Sequence, residues 1–252
     1  MIQQQLAGQV VLVTGAGRGI GAGISRLLAE RGAAVGVLDV DAALVEETVS
    51  AIAAAGGKAI ALPCDVASRE GVLDAAARLR DAHGPLTSVV ANAMWIHYAP
   101  LGEVTEEVLD RMLAVGVKGA FWAAQALLAH RDGQPGTIVN ITSPVADLGL
   151  PNTACYTAAK GALVALTRQQ AVELGPQGIR VNGVTPGAVP TPGARAMVDA
   201  AGYEKRRRQS PLGRLGTEED VARAVAFLIG PEAEFVTGEI LHVDGGVTVK
   251  AI

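Results

Sequence analysis

Aromatic residues are scarce in this chain. They make up 3 % of its 252 residues, although half of all residues are hydrophobic. A core with so few rings must be built from Ala, Val, Leu and Ile, which is typical of parallel sheets covered by helices. Neither sign of charge dominates, since the net charge is −4 at pH 7. That balance argues against nucleic acid as the main partner.

Cysteine and long apolar runs are lacking too. Cys64 and Cys155 are too few for a disulfide framework and favour reduced thiols. No apolar run reaches the roughly 18 residues that a membrane span requires, and the polar segment from Met1 to Gly8 does not resemble a signal peptide. We therefore expect a soluble, cytoplasmic protein without a membrane partner, and no metal site is predicted.

Short apolar runs alternate with helical patterns along the chain. Such alternation predicts βαβ units and a parallel sheet. The fold class is therefore α/β, a single domain over residues 1–252 with a doubly wound sheet of about seven strands and helices on both faces. Strands are predicted at 10–13, 33–38, 58–63, 86–91, 136–142, 179–185 and 239–243, and helices at 20–31, 42–55, 68–83, 105–130, 154–174 and 217–229.

One stretch, residues 187–216, interrupts this alternation. It has no strand pattern and contains many Pro, Gly and Arg residues. Long irregular insertions near the carboxyl ends of strands are usually functional. We predict that this insertion contacts the substrate.

A glycine-rich turn joins the first strand to the first helix. Gly15, Gly19 and Gly21 allow a sharp turn and let a pyrophosphate approach the helix N-terminus. The turn therefore predicts a Rossmann-type dinucleotide site, to which Arg18 and Ile20 also belong.

An acidic residue, Asp39, ends the second predicted strand. A carboxylate there can accept hydrogen bonds from the adenosine ribose and would repel a 2′-phosphate, which favours NAD over NADP. Arg18 argues against this preference, because its guanidinium could bind the 2′-phosphate of NADP. Asp65 and Val66 follow the third strand as candidates for the adenine edge. For both Asp39 and Asp65, a simple helix cap is the structural alternative.

The most informative pair is Tyr156 and Lys160, preceded by Ser143. Residues four apart on a helix share one face, with Cβ atoms about 5–6 Å apart. An ammonium beside a phenol favours the phenolate and so predicts a lowered pKa for Tyr156. Such a tyrosine could exchange a proton during interconversion of a hydroxyl and a carbonyl.

Together these features resemble the short-chain dehydrogenase/reductase family from about Gln9 to Gly246. The thirteen-residue spacing between Ser143 and Tyr156 is the family's usual one. Further matching motifs are Arg180-Val181-Asn182, Pro186-Gly187, Thr237-Gly238 and Asp244-Gly245-Gly246.

The resemblance implies a role for each matching residue. Tyr156 would be the general acid/base, Ser143 would polarise the substrate oxygen, and Lys160 would lower the pKa of Tyr156 and bind the nicotinamide ribose. The cofactor site would also include Asn92 after the fourth strand and, at the nicotinamide end, Pro186, Gly187, Val189 and Thr191.

Two positions depart from the family pattern. Met94 stands where the usual segment after the fourth strand has glycine, and Gly116 stands where the family has a fourth catalytic residue, an asparagine. We expect Met94 to reshape the pocket, and Gly116 to slow the proton relay or to require an extra water.

Apolar and aromatic residues near the predicted site form a candidate substrate pocket, and a basic run, 205–208, lies within the insertion. The run could attract a carboxylate, a phosphate or an acyl carrier, although charge runs are more often solvated helix faces. The candidate pocket residues are Met94, Trp95, His97, Tyr98, Val145, Leu150, Met197 and Tyr203.

Three functions remain open. The leading one is an NAD-dependent oxidoreductase that interconverts a secondary alcohol and its ketone. The alternatives are a reductase of 3-oxoacyl thioesters and a non-catalytic NAD-binding protein. The family also implies a homodimer or homotetramer built on two long helices with small, apolar faces.

Overall fold

Seven parallel strands form one sheet in the order β3-β2-β1-β4-β5-β6-β7. The structure, a computed structural model, describes residues 5–195 and 198–250. The predicted doubly wound parallel sheet is confirmed. The strands are β1 (Val10–Thr14), β2 (Ala34–Asp39), β3 (Lys58–Pro63), β4 (Ser88–Ala91), β5 (Gly136–Ile141), β6 (Ile179–Pro186) and β7 (Ile240–Val243).

Helices cover both faces of this sheet. Five of them begin at a side chain that accepts a backbone N–H, namely Asp41, Ser68, Thr105, Asp199 and Thr217, so local sequence fixes these starts. The helices are α1 (Gly19–Glu30), α2 (Ala42–Ala54), α3 (Arg69–His83), α4 (Glu106–Leu113), α5 (Gly119–His130), α6 (Ala154–Leu174), α7 (Pro192–Arg195), α8 (Ala200–Gln209) and α9 (Glu218–Ile229).

The core consists of two layers, one on each face of the sheet. Leu12 and Ile138 belong to the layer under α3, α5 and α6. Their neighbours Val13 and Val139 belong to the layer under α1 and α9. Successive side chains of a strand point to opposite faces, and the inner strands therefore carry apolar residues on both faces rather than on alternate positions only.

Two predicted segments differ from the structure. The helix predicted at 105–130 is interrupted between α4 and α5 by a π-helical segment, Ala114–Lys118, which contains Gly116. The insertion at 187–216 is not irregular, since it contains α7 and α8. Met197, a predicted pocket residue, lies outside the described residues.

The helical stretch Glu106–His130 is long and apolar enough to cross a membrane by length and composition, with a mean hydropathy of 1.5. Half of its apolar window is buried inside the protein, and core helices of soluble proteins pass the same test.

Candidate active site

The predicted functional residues lie mainly beyond the carboxyl ends of β1, β2, β4, β5 and β6. This edge contains the topological switch point between β1 and β4, where ligands of doubly wound sheets bind. Five loops therefore reach one region from distant parts of the sequence.

The glycine turn after β1 is held by the loop after β4. Gly15 has φ +64°, and a Cβ there would lie 2.7 Å from the Ala93 Cα, so only glycine fits. The Asn92 side chain donates to the carbonyls of Thr14 and Gly15 at 3.0 and 2.9 Å. Asn92, predicted as a cofactor contact, thus braces the turn itself.

The N-terminus of α1 suits an anionic ligand. Arg18 occupies the N-cap position but makes no side-chain capping hydrogen bond. Gly19, Ile20 and Gly21 form the first turn, where backbone N–H groups attract phosphates. A Cβ on Gly19 would lie 3.1 Å from the Thr191 side chain, so the start of the insertion packs against this turn.

Asp39 is directed at the glycine turn. Its carboxylate accepts the Gly17 N–H at 3.1 Å and the Asp41 N–H at 3.2 Å. The cap of α2 is Asp41, whose side chain accepts from Ala43 and Leu44, so Asp39 is not the helix cap. Contact of this carboxylate with the adenosine ribose of a dinucleotide stays a prediction.

Asp65, by contrast, interacts with other residues of this chain. It accepts the Ala67 N–H at 3.0 Å and pairs with Arg111 at 2.9 Å. Val66 is buried, and its side chain would lie 2.9 Å from a Cβ on Gly119. Structural roles account for these two residues, and contact with an adenine stays a prediction.

Ser143, Tyr156 and Lys160 come together across β5 and α6. Ser143 lies two residues after the end of β5 and is buried, and its side chain interacts with that of Tyr156. Lys160 is also buried, and its Nζ lies 5.7 Å from the centre of the Tyr156 ring. The same ammonium donates to the Ile141 carbonyl at 2.7 Å. The predicted set is therefore assembled, with Lys160 anchored to the end of β5.

The prediction of a lowered pKa for Tyr156 is wrong when the effects of this chain's own residues are considered. Burial raises the pKa of Tyr156 to about 12, and the interaction with Ser143 opposes this only in part. Burial also lowers the pKa of Lys160 to about 8. The cost of desolvating a phenolate exceeds the help that the Ser143 hydroxyl and the charge of Arg206 give. Tyr156 is therefore a protonated donor at neutral pH.

The segment after β6 lines the same edge. β6 ends at Pro186, and the Gly187 N–H donates to the Val243 carbonyl at 3.0 Å. A Cβ on Gly187 would lie 2.7 Å from the Asp244 Cα, so the chain passes close to the loop after β7. Val189 is buried against Gly216. Pro186, Gly187 and Val189 thus form a rigid wall below Thr191.

The aromatic loop after β4 divides into two parts. Tyr98 packs edge-on against Tyr156, with ring centres 5.8 Å apart, and so belongs to the site. Trp95 and His97 stack on each other at 5.9 Å. Among the residues that the structure describes, His97 forms no hydrogen bond with Ser143 or Tyr156.

The other predicted pocket residues differ in exposure. Val145 lies buried beside Ser143, and its N–H donates to the Ser143 hydroxyl at 3.4 Å. Leu150 is half exposed at the site's outer side, and Tyr203 on α8 is buried. Sequence reasoning missed Arg206, whose charge acts on Tyr98 and Tyr156; the basic run was the only signal for it.

Met94 and Gly116, the two departures from the family pattern, are in contact. A Cβ on Gly116 would lie 2.6 Å from the Met94 Sδ and 3.6 Å from the Ala159 Cβ. The thioether therefore fills the space that a side chain at position 116 would need. The two residues form a complementary pair of large and small, next to Lys160 on α6.

We expect Gly116→Asn alone to be harmful rather than restorative. The new side chain would displace the flexible end of Met94, at a cost of about 1 kcal/mol, the low end of the range for overpacking. Gly116→Asn should lower both the unfolding free energy and turnover, whereas Met94→Gly/Gly116→Asn should recover most of the loss. Denaturant unfolding of the wild type, both single variants and the double variant measures the coupling. Additive effects would contradict the pairing.

Comparison with known proteins identifies the class. Residues 15–248 match the family model described as enoyl-(acyl carrier protein) reductase. The chain is 37 % identical to 2-(S)-hydroxypropyl-CoM dehydrogenase 3 of Xanthobacter autotrophicus, over 98 % of this chain and 99 % of that protein. It is 38 % identical to cis-4-hydroxycyclohexanecarboxylate dehydrogenase of Sinomonas cyclohexanicum, over 97 % and 98 %.

Solved structures agree with these sequence matches. A short-chain dehydrogenase from Burkholderia cenocepacia in complex with NADP is 36 % identical and superposes with a TM-score of 0.90, covering 96 % of this chain and 99 % of that one. This chain belongs to the short-chain dehydrogenase/reductase family. It is therefore a member of an oxidoreductase family that acts with nicotinamide cofactors.

Proposed function

We propose that the protein is an NAD-dependent dehydrogenase/reductase that interconverts a secondary alcohol and its ketone. The observation that carries the proposal is the meeting of Ser143 and Tyr156 at the same sheet edge as the glycine turn and Asp39. Two relatives are named for dehydrogenation of hydroxylated compounds, which supports the reaction class. The bound NAD would accept the hydride in oxidation and supply it, as NADH, in reduction.

The preference for NAD rests on Asp39. Its carboxylate points at Gly17, beside the place of the adenosine ribose. A phosphate on that ribose would meet a negative charge at short range, which costs several kcal/mol when desolvated. Arg18 is exposed, and its guanidinium lies beside Gly193. It therefore does not neutralise Asp39.

The proton chemistry belongs to Tyr156 and Ser143. Because burial raises the pKa of Tyr156 to about 12, the phenol is protonated at neutral pH and donates to the oxygen of a ketone during reduction. Ser143 holds the same oxygen through its hydroxyl. The reverse reaction needs the phenolate, and alcohol oxidation should therefore speed up continuously as pH rises toward the pKa.

The test is an assay of a panel of secondary alcohols and ketones with NAD(H) and NADP(H). Turnover of at least one pair, with NAD(H) preferred, is expected. Tight NAD binding without turnover of any compound would favour a non-catalytic NAD-binding protein. Reduction confined to 3-oxoacyl thioesters would favour the thioester reductase. The proposal also includes that the protein forms a homodimer or homotetramer and that it is cytoplasmic.

A further inference from the structure

The loop after β4, which carries Tyr98, has little backbone support of its own. Residues 92–100 contain neither helix nor strand. Within 5–195 and 198–250, residues 94–99 make a single backbone hydrogen bond, from the Ala99 N–H to the Asn152 carbonyl at 3.0 Å. A loop without such bonds has many conformations open to it, so this one bond decides where the neighbouring Tyr98 lies.

An unusual backbone conformation directs the Asn152 carbonyl. The φ of Asn152 is +65°, in the left-handed region that asparagine tolerates better than most residues with a side chain. Pro151 precedes it, and proline followed by a residue with positive φ is typical of a type II turn. Thr153 is buried and donates its hydroxyl to the Leu150 carbonyl at 2.8 Å. The turn is therefore held in place directly before α6, four residues before Tyr156.

The hydrogen bond from Ala99 to Asn152 brings Tyr98 to the reaction centre. The Tyr98 ring packs edge-on against the Tyr156 ring, with centres 5.8 Å apart and planes inclined at 72°. Tyr98 is 37 % exposed, so its ring lies between part of Tyr156 and solvent. A ring in this place occupies volume directly beside the phenol that donates the proton.

We propose that Asn152 is a positioning residue that holds the Tyr98 ring against Tyr156, and that this ring limits the size of the group beside the substrate carbonyl. The inference rests on the proposed function, because the carbonyl oxygen is taken to accept its proton from Tyr156. One methylene too many in a close-fitting pocket changes kcat/KM by roughly 10–200-fold. A methyl ketone is therefore a better substrate than its ethyl or propyl homologue.

The test compares the wild type with Tyr98→Ala, Asn152→Val, Asn152→Gly and Asp132→Val. Valine strongly disfavours a positive φ, whereas glycine adopts it readily. Asp132 is the matched control, since with φ +51° it is the other described residue with a side chain that has this conformation. It lies before β5, at the opposite edge of the sheet from Tyr156. Its exposed ion pair with Arg80 contributes little to stability.

The substrates are phenyl ketones whose second group grows from methyl to ethyl, propyl and butyl, each reduced with NADH. The wild type should prefer the methyl over the propyl compound by at least about tenfold in kcat/KM. Tyr98→Ala and Asn152→Val should bring this ratio close to one, whereas Asn152→Gly and Asp132→Val should keep it. A wild type without the preference, an unchanged ratio in Tyr98→Ala, or equal ratios in Asn152→Val and Asp132→Val would overturn the proposal.

Fluorine NMR gives a second readout that needs no turnover. The chain has three tyrosines, so labelling with 3-fluorotyrosine gives three signals, which Tyr98→Phe and Tyr203→Phe assign. The Tyr98 signal should move toward that of the free amino acid in Asn152→Val and keep its wild-type position in Asn152→Gly and Asp132→Val.

An unmoved Tyr98 signal in Asn152→Val would overturn the positioning role. Titration of the methyl and propyl ketones into the labelled wild type with NAD should show tighter binding of the methyl compound, and equal binding would overturn the size limit. Absence of turnover with every ketone would count against the proposed function, and the fluorine spectra would still decide whether Asn152 holds Tyr98.

Discussion

Tyr156→Phe should lower turnover by roughly 10²–10⁴-fold, the usual contribution of a positioned general acid or base. The variant loses only the hydroxyl that interacts with Ser143, and the ring that packs against Tyr98 remains. NAD binding should persist, because the glycine turn and Asp39 are untouched. Steady-state kinetics and NAD titration of the same preparation measure both quantities.

The matched control for that variant is Thr157→Val. It removes a hydroxyl from the adjacent residue of α6, one that is hydrogen-bonded only to Thr153 among the described residues, at 3.0 Å. It should retain turnover within a few-fold. Comparable activity of Tyr156→Phe and Thr157→Val would remove Tyr156 from the proton transfer.

Asp39→Asn should narrow the preference for NAD over NADP by about a hundredfold. Removing the charge abolishes a like-charge repulsion of several kcal/mol, and each 1.4 kcal/mol is about tenfold in affinity. The amide oxygen can still accept the Gly17 N–H, so the turn should keep its shape. Dissociation constants for both dinucleotides give the ratio directly.

Asp41→Asn is the control for this change, since asparagine caps helices about as well as aspartate. It removes a carboxylate two residues away, one that caps α2 and does not contact Gly17. Its dinucleotide preference should equal that of the wild type. An unchanged ratio in Asp39→Asn, or a wild type that prefers NADP, would contradict the role given to Asp39.

The sheet was predictable because its strands are buried on both faces. Continuous apolar runs such as Val10 to Val13 and Ala33 to Leu38 stand out without any knowledge of tertiary contacts. Capping residues such as Ser68 and Thr217 marked helix starts in the same local way. The glycine turn and the Tyr156–Lys160 pair were also visible, since both are short-range patterns.

What the sequence could not reveal depends on contacts between distant segments. The fit of Met94 over Gly116 links residues from different loops, and nothing local announces it. The pKa of Tyr156 depends on its burial and on its interaction with Ser143, which comes from a different segment of the chain. That Arg207 and Arg208 of the basic run pair with Glu204 is likewise visible only in the structure.

The most direct measurement follows the hydride itself. A ketone accepted in the alcohol and ketone panel is reduced with NADH that carries deuterium at the reactive position of its nicotinamide ring, and the product is examined by mass spectrometry and NMR. This account predicts one deuterium on the carbinol carbon for each NADH consumed, with the hydroxyl proton taken from solvent. Label on a carbon next to an intact carbonyl, as reduction of a carbon–carbon double bond would give, would contradict it.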